Sequence, residues 1–267
     1  MRTRTYGIDH DTISFAQRVR AGSGKVLSGE PLKQINKFVV GIKRMGLWDS
    51  MVCWPMRSIH NAGTGSTVYS LGGLGIYNGT MVNSPTWGLN GIENKNTSGV
   101  RAGGGALPIY TDHTALFITK VTGDMATLGQ RYFEYGFGGV GGARYLSQVA
   151  TNPNHNMALW GSTGALYYRA GHAVTLNVFE MMGYSITNGS LLETSKNYSN
   201  YTSATPLVAG NGNVGGVGLG NFQSMTSFGV VGVLSSYMLI SKAASASLRS
   251  SIYFLYRQTI CKSLQLP

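Results

Sequence analysis

Residues 114–120 read Thr-Ala-Leu-Phe-Ile-Thr-Lys, and this stretch decides the fold class. Successive side chains of a β-strand point to opposite faces of its sheet. Ala115, Leu116, Phe117 and Ile118 put apolar groups on both faces, so the segment reads as a central strand covered on each side. The period of two continues outward from it. Residues 131–137 set Phe133, Tyr135 and Phe137 on one side, and 143–149, 157–160 and 165–169 read as further short strands. Residues 173–179 alternate Val174, Leu176 and Val178 against Thr175 and Asn177. A glycine-rich strand is expected at 214–220 and a long one at 230–240. Clusters of Gly, Asn and Ser divide these segments, as turns do. Many short strands at this spacing predict a two-sheet sandwich or jelly roll. Disorder is excluded by 15 Tyr, 9 Phe and 4 Trp, although glycine reaches 38 of 267 residues and only 12% of residues are charged.

The first fifty residues follow a helical period instead. Asp11 reads as the cap of a short helix whose Ile13, Ala16 and Val19 share a face, and Gly22-Ser23-Gly24 ends it. Ser28 reads as the cap of a second helix with Glu30 and Pro31 in its first turn. Its apolar residues Leu32, Ile35, Val39 and Ile42 recur at three- and four-residue steps, while Lys33, Asn36, Lys37 and Lys43 face away. That face seeks a partner surface, either a neighbouring protein to dock to or the sandwich to brace. Gly46 stands where such a helix stops, and Leu47-Trp48 pin its end. A third helix is capped by Ser241 or Ser245, carries the stripe Leu248, Ile252 and Leu255, and runs into a charged or polar tail over 257–267. The chain therefore divides into a helical segment, 1–50, and a sandwich with its C-terminal helix and tail, 51–267. No Pro-rich linker separates the two, so they are expected to pack together.

The order of these pieces carries a resemblance. Two helices end in Ile42-Lys-Arg-Met-Gly-Leu-Trp48 and lead into Met51-Val-Cys-Trp-Pro55. Tyr77-Asn-Gly-Thr80, Pro85-Thr-Trp-Gly88 and Asn90-Gly-Ile92 follow, and the chain closes on a strand, a helix and the tail from Thr259 to Pro267. The chain resembles the concanavalin-A-like, laminin-G-type domains found in virion structural proteins of tailed phages. The resemblance implies a mainly β, two-sheet jelly roll of roughly 12 to 14 strands. It also implies a virion protein: a head decoration, head-fibre or tail-associated subunit made in the host cytoplasm and present in multiple copies. Members of that superfamily bind glycans, mediate protein contacts or hydrolyse polysaccharides, and fold alone does not choose among these.

The chemistry narrows the choice. A glycosidase needs two carboxylates flanking the scissile bond, and related glucanases place them as Glu-x-Asp-x-x-Glu on one strand. Of the ten acidic residues, no two in the strand region fall closer than ten positions. No catalytic residue is assigned, and hydrolysis would require a pair such as Glu134 and Glu180 to converge in space. Calcium takes six to eight oxygens with several carboxylates, and Asp112 and Asp124 read as loop acids. No metal and no cofactor is expected. Asp9-His10-Asp11 reads as a helix cap with its neighbours, and His60, His113, His155 and His172 lack ligand spacing. The Gly-x-Gly-x-x-Gly text at 210–215 lacks the helix a dinucleotide site needs, and Val26 stands where a phosphate loop requires Ser or Thr. Cys53 and Cys261 read as buried free thiols, and the Asn-x-Ser/Thr triplets at Asn78, Asn188, Asn197 and Asn200 as having no glycosylation role.

The formal charge of +11 is spread along the chain without a run. It reads first as a solvated face, next as complementing an acidic protein shell, and only third as a nucleic-acid surface. No stretch has signal-peptide or membrane-span character. What remains is surface chemistry. Trp160, Tyr167 and Tyr168 lie in neighbouring strands and are the candidate platform for stacking on a glycan or a partner.

Overall fold

The computed structural model describes residues 7–108, 110, 112–123, 131–135, 145–149, 156–160, 166–187, 191–203, 214–221 and 229–267. For 104–106, 131, 134, 145–149, 156–160, 166–173, 200–203 and 214–215 it describes the backbone only. Among these residues are sixteen strands in two antiparallel sheets and three α-helices. The first sheet contains β1 (Met51–Pro55), β4 (Thr86–Trp87), β5 (Ile92–Asn94), β7 (His113–Val121), β12 (Phe179–Thr187), β13 (Leu191–Lys196), β14 (Ser199–Ser203) and β16 (Gly232–Ile240). The second contains β2 (Thr67–Val68), β3 (Gly79–Val82), β6 (Gly99–Pro108), β8 (Arg131–Tyr135), β9 (Tyr145–Val149), β10 (Asn156–Trp160), β11 (Leu166–Ala173) and β15 (Val214–Leu219). The spatial orders are β14-β13-β12-β7-β16-β5-β4, with β1 also on β16, and β11-β10-β9-β8-β15-β6-β3-β2. The expected mainly β, jelly-roll-like sandwich with two N-terminal helices and one C-terminal helix is what the chain forms.

Strand β7 lies beside β16 at the middle of the first sheet, and its apolar residues divide as a doubly covered strand requires. Ala115, Phe117 and Val121 enter the core between the sheets, while Leu116 and Ile118 enter a second core beneath the helices. Strand β16 is buried at all nine positions for the same reason. Its pattern holds only because of a one-residue bulge. Leu234 pairs with Thr119 and Ser236 with Ile118, so Ser235 is the extra residue and the alternation resets there. Beyond it Tyr237 and Leu239 face the inter-sheet core, and Met238 and Ile240 face the helices. Gly232 begins the strand at φ +155°, where any Cβ would run into the Lys120 carbonyl, so glycine is required. Between the sheets Phe117 stacks on Tyr132 at 5.1 Å and on Tyr237 at 5.8 Å, and Phe133 lies parallel to Tyr237 at 6.4 Å.

Helices α1 (His10–Ser23), α2 (Gly29–Arg44) and α3 (Ala246–Gln258) close the outer face of the first sheet. Ile35, Val39 and Ile42 are fully buried there, with Leu32 packed at the margin. Of the two uses expected for this face, docking to a neighbour or bracing the sandwich, the structure shows the second. Ile35, Val39 and Ile42 are closed over Met51, Cys53, Leu116 and Met238, while Leu32 is partly exposed at the groove against α1.

The cap of α1 is Asp9 rather than Asp11: its carboxylate accepts the Asp11 N–H at 3.0 Å. Lys43 holds both acids, 2.7 Å from Asp9 Oδ1 and 2.5 Å from Asp11 Oδ2. Burial opposes the Asp9 charge, but the hydrogen bond and charge of Lys43 outweigh it and hold the carboxyl below its usual range. The buried face of α1 is Thr12, Phe15 and Val19, which leaves Ile13 exposed rather than inside. Gly46 ends α2 at φ +65°, its N–H on the Lys43 carbonyl, and Leu47 is buried beyond it as expected.

Two expectations are corrected. Residues 174–178 form the turn between β11 and β12, with Asn177 in the left-handed region at φ +64°. The tail is not a solvated strand of polar residues: Ile260, Cys261, Leu264 and Leu266 are buried in the core beneath the helices. Buried Arg57 holds it in place, donating to the Ile260 carbonyl at 2.9 Å, to Ser263 Oγ at 2.7 Å and to the Leu89 carbonyl at 3.1 Å.

Candidate functional site

Helix α3 turns Arg249, Ile252, Tyr253 and Tyr256 inward. Residue 254 therefore falls on the opposite face, and steps of three and four place Phe254, Arg257 and Gln258 along one outer stripe. Phe254 is 46% exposed, a large aromatic in solvent. Its neighbour comes from a different element. The hairpin between β13 and β14 turns at Asn197-Tyr198, where Asn197 adopts φ +53°. The Asn197 side chain accepts the Met181 N–H at 3.0 Å and its own N–H donates to the Met181 carbonyl at 2.7 Å, which locks the turn onto β12. Tyr198 is 57% exposed and lies parallel to Phe254, 6.5 Å between centroids and 15° between planes.

Tyr253 supports both rings from beneath, edge-on to Phe254 at 5.3 Å and tilted to Tyr198 at 6.0 Å. The Arg257 guanidinium lies 5.9 Å from the Tyr253 ring centre. Ser250 Oγ donates to the Tyr198 carbonyl at 3.3 Å, which joins helix to hairpin. Beside the rings is an open cavity of about 430 Å³ lined by Phe254, Arg257, Gln258 and Lys262. Exposed ring faces, an amide and two cations make a surface that stacks on apolar C–H groups and hydrogen-bonds oxygen.

Two other concavities among the described residues lack that combination. A groove of about 270 Å³ between α1 and α2 is lined mainly by Ile8, Ile13, Ala16, Val26, Leu27 and Leu32 and has few polar groups. Another, of about 340 Å³, is lined by Ser23, Thr64, Ser66 and Thr67, but its one ring, Tyr69, is buried.

The buried reactive groups are occupied structurally. Cys53 Sγ lies 3.4 Å from Tyr256 Oη and 3.5 Å from Ser236 Oγ, and Ser236 Oγ donates to Tyr256 Oη at 3.2 Å. Burial pushes the Cys53 thiol up to about 11 despite those contacts, and raises Cys261 further, so neither is a thiolate near neutral pH. Glu180 is 4% exposed, 2.7 Å from Lys196 Nζ, and accepts the Thr175 N–H at 3.0 Å. Glu193 is paired with Arg249 at 2.9 Å. Among the described residues no three of His, Cys, Asp and Glu gather as a metal site would require. No helix among the described residues is long and apolar enough to cross a membrane.

Tyr167 and Tyr168 lie on the edge strand β11 of the second sheet and Trp160 on its neighbour β10, where Trp160 pairs with Leu166 and Leu159 with Tyr168. The side chains of Trp160, Tyr167 and Tyr168 lie outside the described residues, as do Asp124 and residues 210–213 and the Glu134 side chain. Sequence reasoning missed Tyr198 and Phe254. The signal for Phe254 was its position off the Leu248, Ile252 and Leu255 stripe, where a helix facing water normally carries a polar residue.

No family model and no curated sequence matches the chain. Solved structures do match it. A Trypanosoma rangeli sialidase mutant with trans-sialidase activity aligns at a TM-score of 0.58 and 11% identity, over 86% of this chain and 39% of that one. The receptor-binding domain of botulinum neurotoxin mosaic serotype C/D aligns at 0.51 and 11%, over 78% of this chain and 51% of that one. Domain 4 of AbnA, an extracellular arabinanase of Geobacillus stearothermophilus bound to arabinotriose, aligns at 0.46 and 14%, over 76% and 87%. The fold likeness rests on the first two, and the chain spans about two fifths of the sialidase and half of the toxin domain. Together with the two sheets, they define the class of fold: a jelly-roll-like β-sandwich braced on one face by three helices.

Proposed function

We propose that the chain is a non-catalytic carbohydrate-binding module whose ligand lies across Tyr198 and Phe254 at the C-terminal end of α3. The observation that carries this reading is the pair of parallel, exposed rings, of which Phe254 also lines an open cavity with Arg257, Gln258 and Lys262. Sugar rings present apolar C–H faces to such a pair and hydroxyls to the amide and cations beside it. The lectin-like fold agrees with it, and the sialidase among the neighbours handles carbohydrate. Non-catalysis is part of the proposal, supported by Glu180 and Glu193 being committed to Lys196 and Arg249.

The reading is tested by binding to a panel of immobilised glycans, with Phe254→Ala and Tyr198→Ala alongside. Binding by the parent chain that falls about tenfold in each variant, as loss of a stacked aromatic predicts, supports it. Binding that both variants retain removes the site from consideration. A place on a virus particle, as a structural or adhesion subunit in several copies, is a separate proposal that rests on the sequence resemblance alone. Detection of the chain in purified particles would test it.

A further inference from the structure

We infer, resting on the glycan-binding reading, that the site takes an acidic glycan, one whose sugars carry carboxylate or sulfate groups. After Glu193 the chain carries no acidic residue, while Lys196, Lys242, Arg249, Arg257 and Lys262 follow. Three of these cations are answered within the fold. Lys196 is paired with Glu180, Arg249 with Glu193, and Lys242 donates to the Gly46 carbonyl at 3.4 Å. Arg257 and Lys262 are the two that line the cavity, and both are exposed. Neither has a carboxylate partner among the described residues.

Two like charges on one small concavity repel each other and raise the local potential, and an anion relieves both effects. The guanidinium of Arg257 offers a planar fork that matches a carboxylate or sulfate with two parallel hydrogen bonds. Lys262 supplies a point charge from the next turn of chain, Lys262–Leu264. Phe254, one turn before Arg257 on the same helix face, supports the ring that bears the anion. A neutral sugar would use the rings and Gln258 and leave both cations without an anion.

The test uses the full chain and affinity electrophoresis with polygalacturonate, dextran sulfate, neutral dextran and neutral galactan. Three proteins are compared: the parent, an Arg257→Ala/Lys262→Ala double variant, and a Lys33→Ala/Lys37→Ala double variant. The last removes the same charge from the exposed face of α2, at two lysines that do not line the cavity. The expected result is retardation by an acidic polymer that weakens about tenfold or more in the first double variant, the weight of one charge-assisted hydrogen bond. The α2 variant should match the parent. Polygalacturonate alone would mark the anion as carboxylate, dextran sulfate alone as sulfate. Preference for a neutral polymer, lost with Phe254→Ala, would overturn the acidic ligand and leave the glycan reading standing. Equal loss in the two double variants would mean attraction to overall charge and would overturn the site. Retardation by none of the four would overturn both readings. Thermal melts matching the parent exclude misfolding as the cause.

Discussion

Helices α2 and α3 lie on the same face of the same sheet and treat their side chains in opposite ways. Helix α2 buries hydrocarbon, Ile35, Phe38, Val39 and Ile42, and keeps Lys33 and Lys37 in solvent. Helix α3 buries a cation, Arg249 at 0% exposure, and keeps Phe254 in solvent. The first pattern is what burial of apolar area produces on its own. The second runs against it at two positions and calls for a particular cause at each. For Arg249 the cause is internal, a 2.9 Å pair with Glu193 and a 2.5 Å bond to the Ala244 carbonyl. For Phe254 the internal contacts are those of the neighbouring rings, and the proposed ligand is what would account for its exposure. The comparison separates stability from function within one layer.

The sharpest way to break that separation is to cut into α2. Phe38 is fully buried, 5.0 Å from the Tyr256 ring of α3, so Phe38→Ala should cost about 3–5 kcal/mol in urea unfolding. A cost under about 1 kcal/mol would show that the helices are not part of the core. Next comes the buried cation. Arg249→Met leaves Glu193 without its partner and should cost about 3 kcal/mol. A variant as stable as the parent would mean the hydrocarbon stem alone suffices at that site.

The link from α2 to the loop before β2 titrates. His60 is fully buried, its Nε2 2.7 Å from Gln34 Oε1 of α2. Burial first, then the charges of Arg57 and Lys25, push it down to about 3. The unfolded chain takes up that proton near the ordinary value of 6.5 while the folded chain refuses it. Stability from this residue is therefore complete above about pH 6.5 and falls as pH drops toward 3, by about 1.4 kcal/mol per unit. Unfolding free energies from urea titrations at pH 7 and pH 5 should differ by roughly 2 kcal/mol in the parent and by little in His60→Gln. The same slope in both would assign the loss to carboxylates instead.

The helical layer and the central strands were legible in sequence because burial on a defined side leaves a period. Strand β7 showed apolar residues on both faces, and α2 showed its stripe, with Gly46 ending it. Alternation misled at 173–179, where Val174, Leu176 and Val178 alternate within a turn that Asn177 makes by adopting positive φ. Strand β12 stayed hidden because Glu180 and Gly183 interrupt it. Glu180 is held there by Lys196 and the Thr175 N–H, and Gly183 is required by the Ala115 carbonyl, both of which are tertiary facts. The tail was read as polar because Ile260, Cys261, Leu264 and Leu266 have no single period, and Arg57, about two hundred positions away, supplies what orders them. The candidate site was half legible. Phe254 stands out on a helical wheel, but Tyr198 reaches it only through the register of β13 with β14.

The smallest expected effect on folding is the one that decides the comparison. Phe254 and Tyr198 already keep half of their surface in water, so Phe254→Ala gives up little burial. Its unfolding free energy should stay within about 0.5 kcal/mol of the parent. If binding falls about tenfold while stability is unchanged, the exposed face of α3 is held for a ligand, and α2 and α3 differ in purpose as well as pattern. If Phe254→Ala instead destabilises the chain by as much as Arg249→Met, the ring is part of the packing that holds the β13–β14 turn to the helix. The inversion between α2 and α3 would then be structural at both positions, and the case for a site at the end of α3 would be lost.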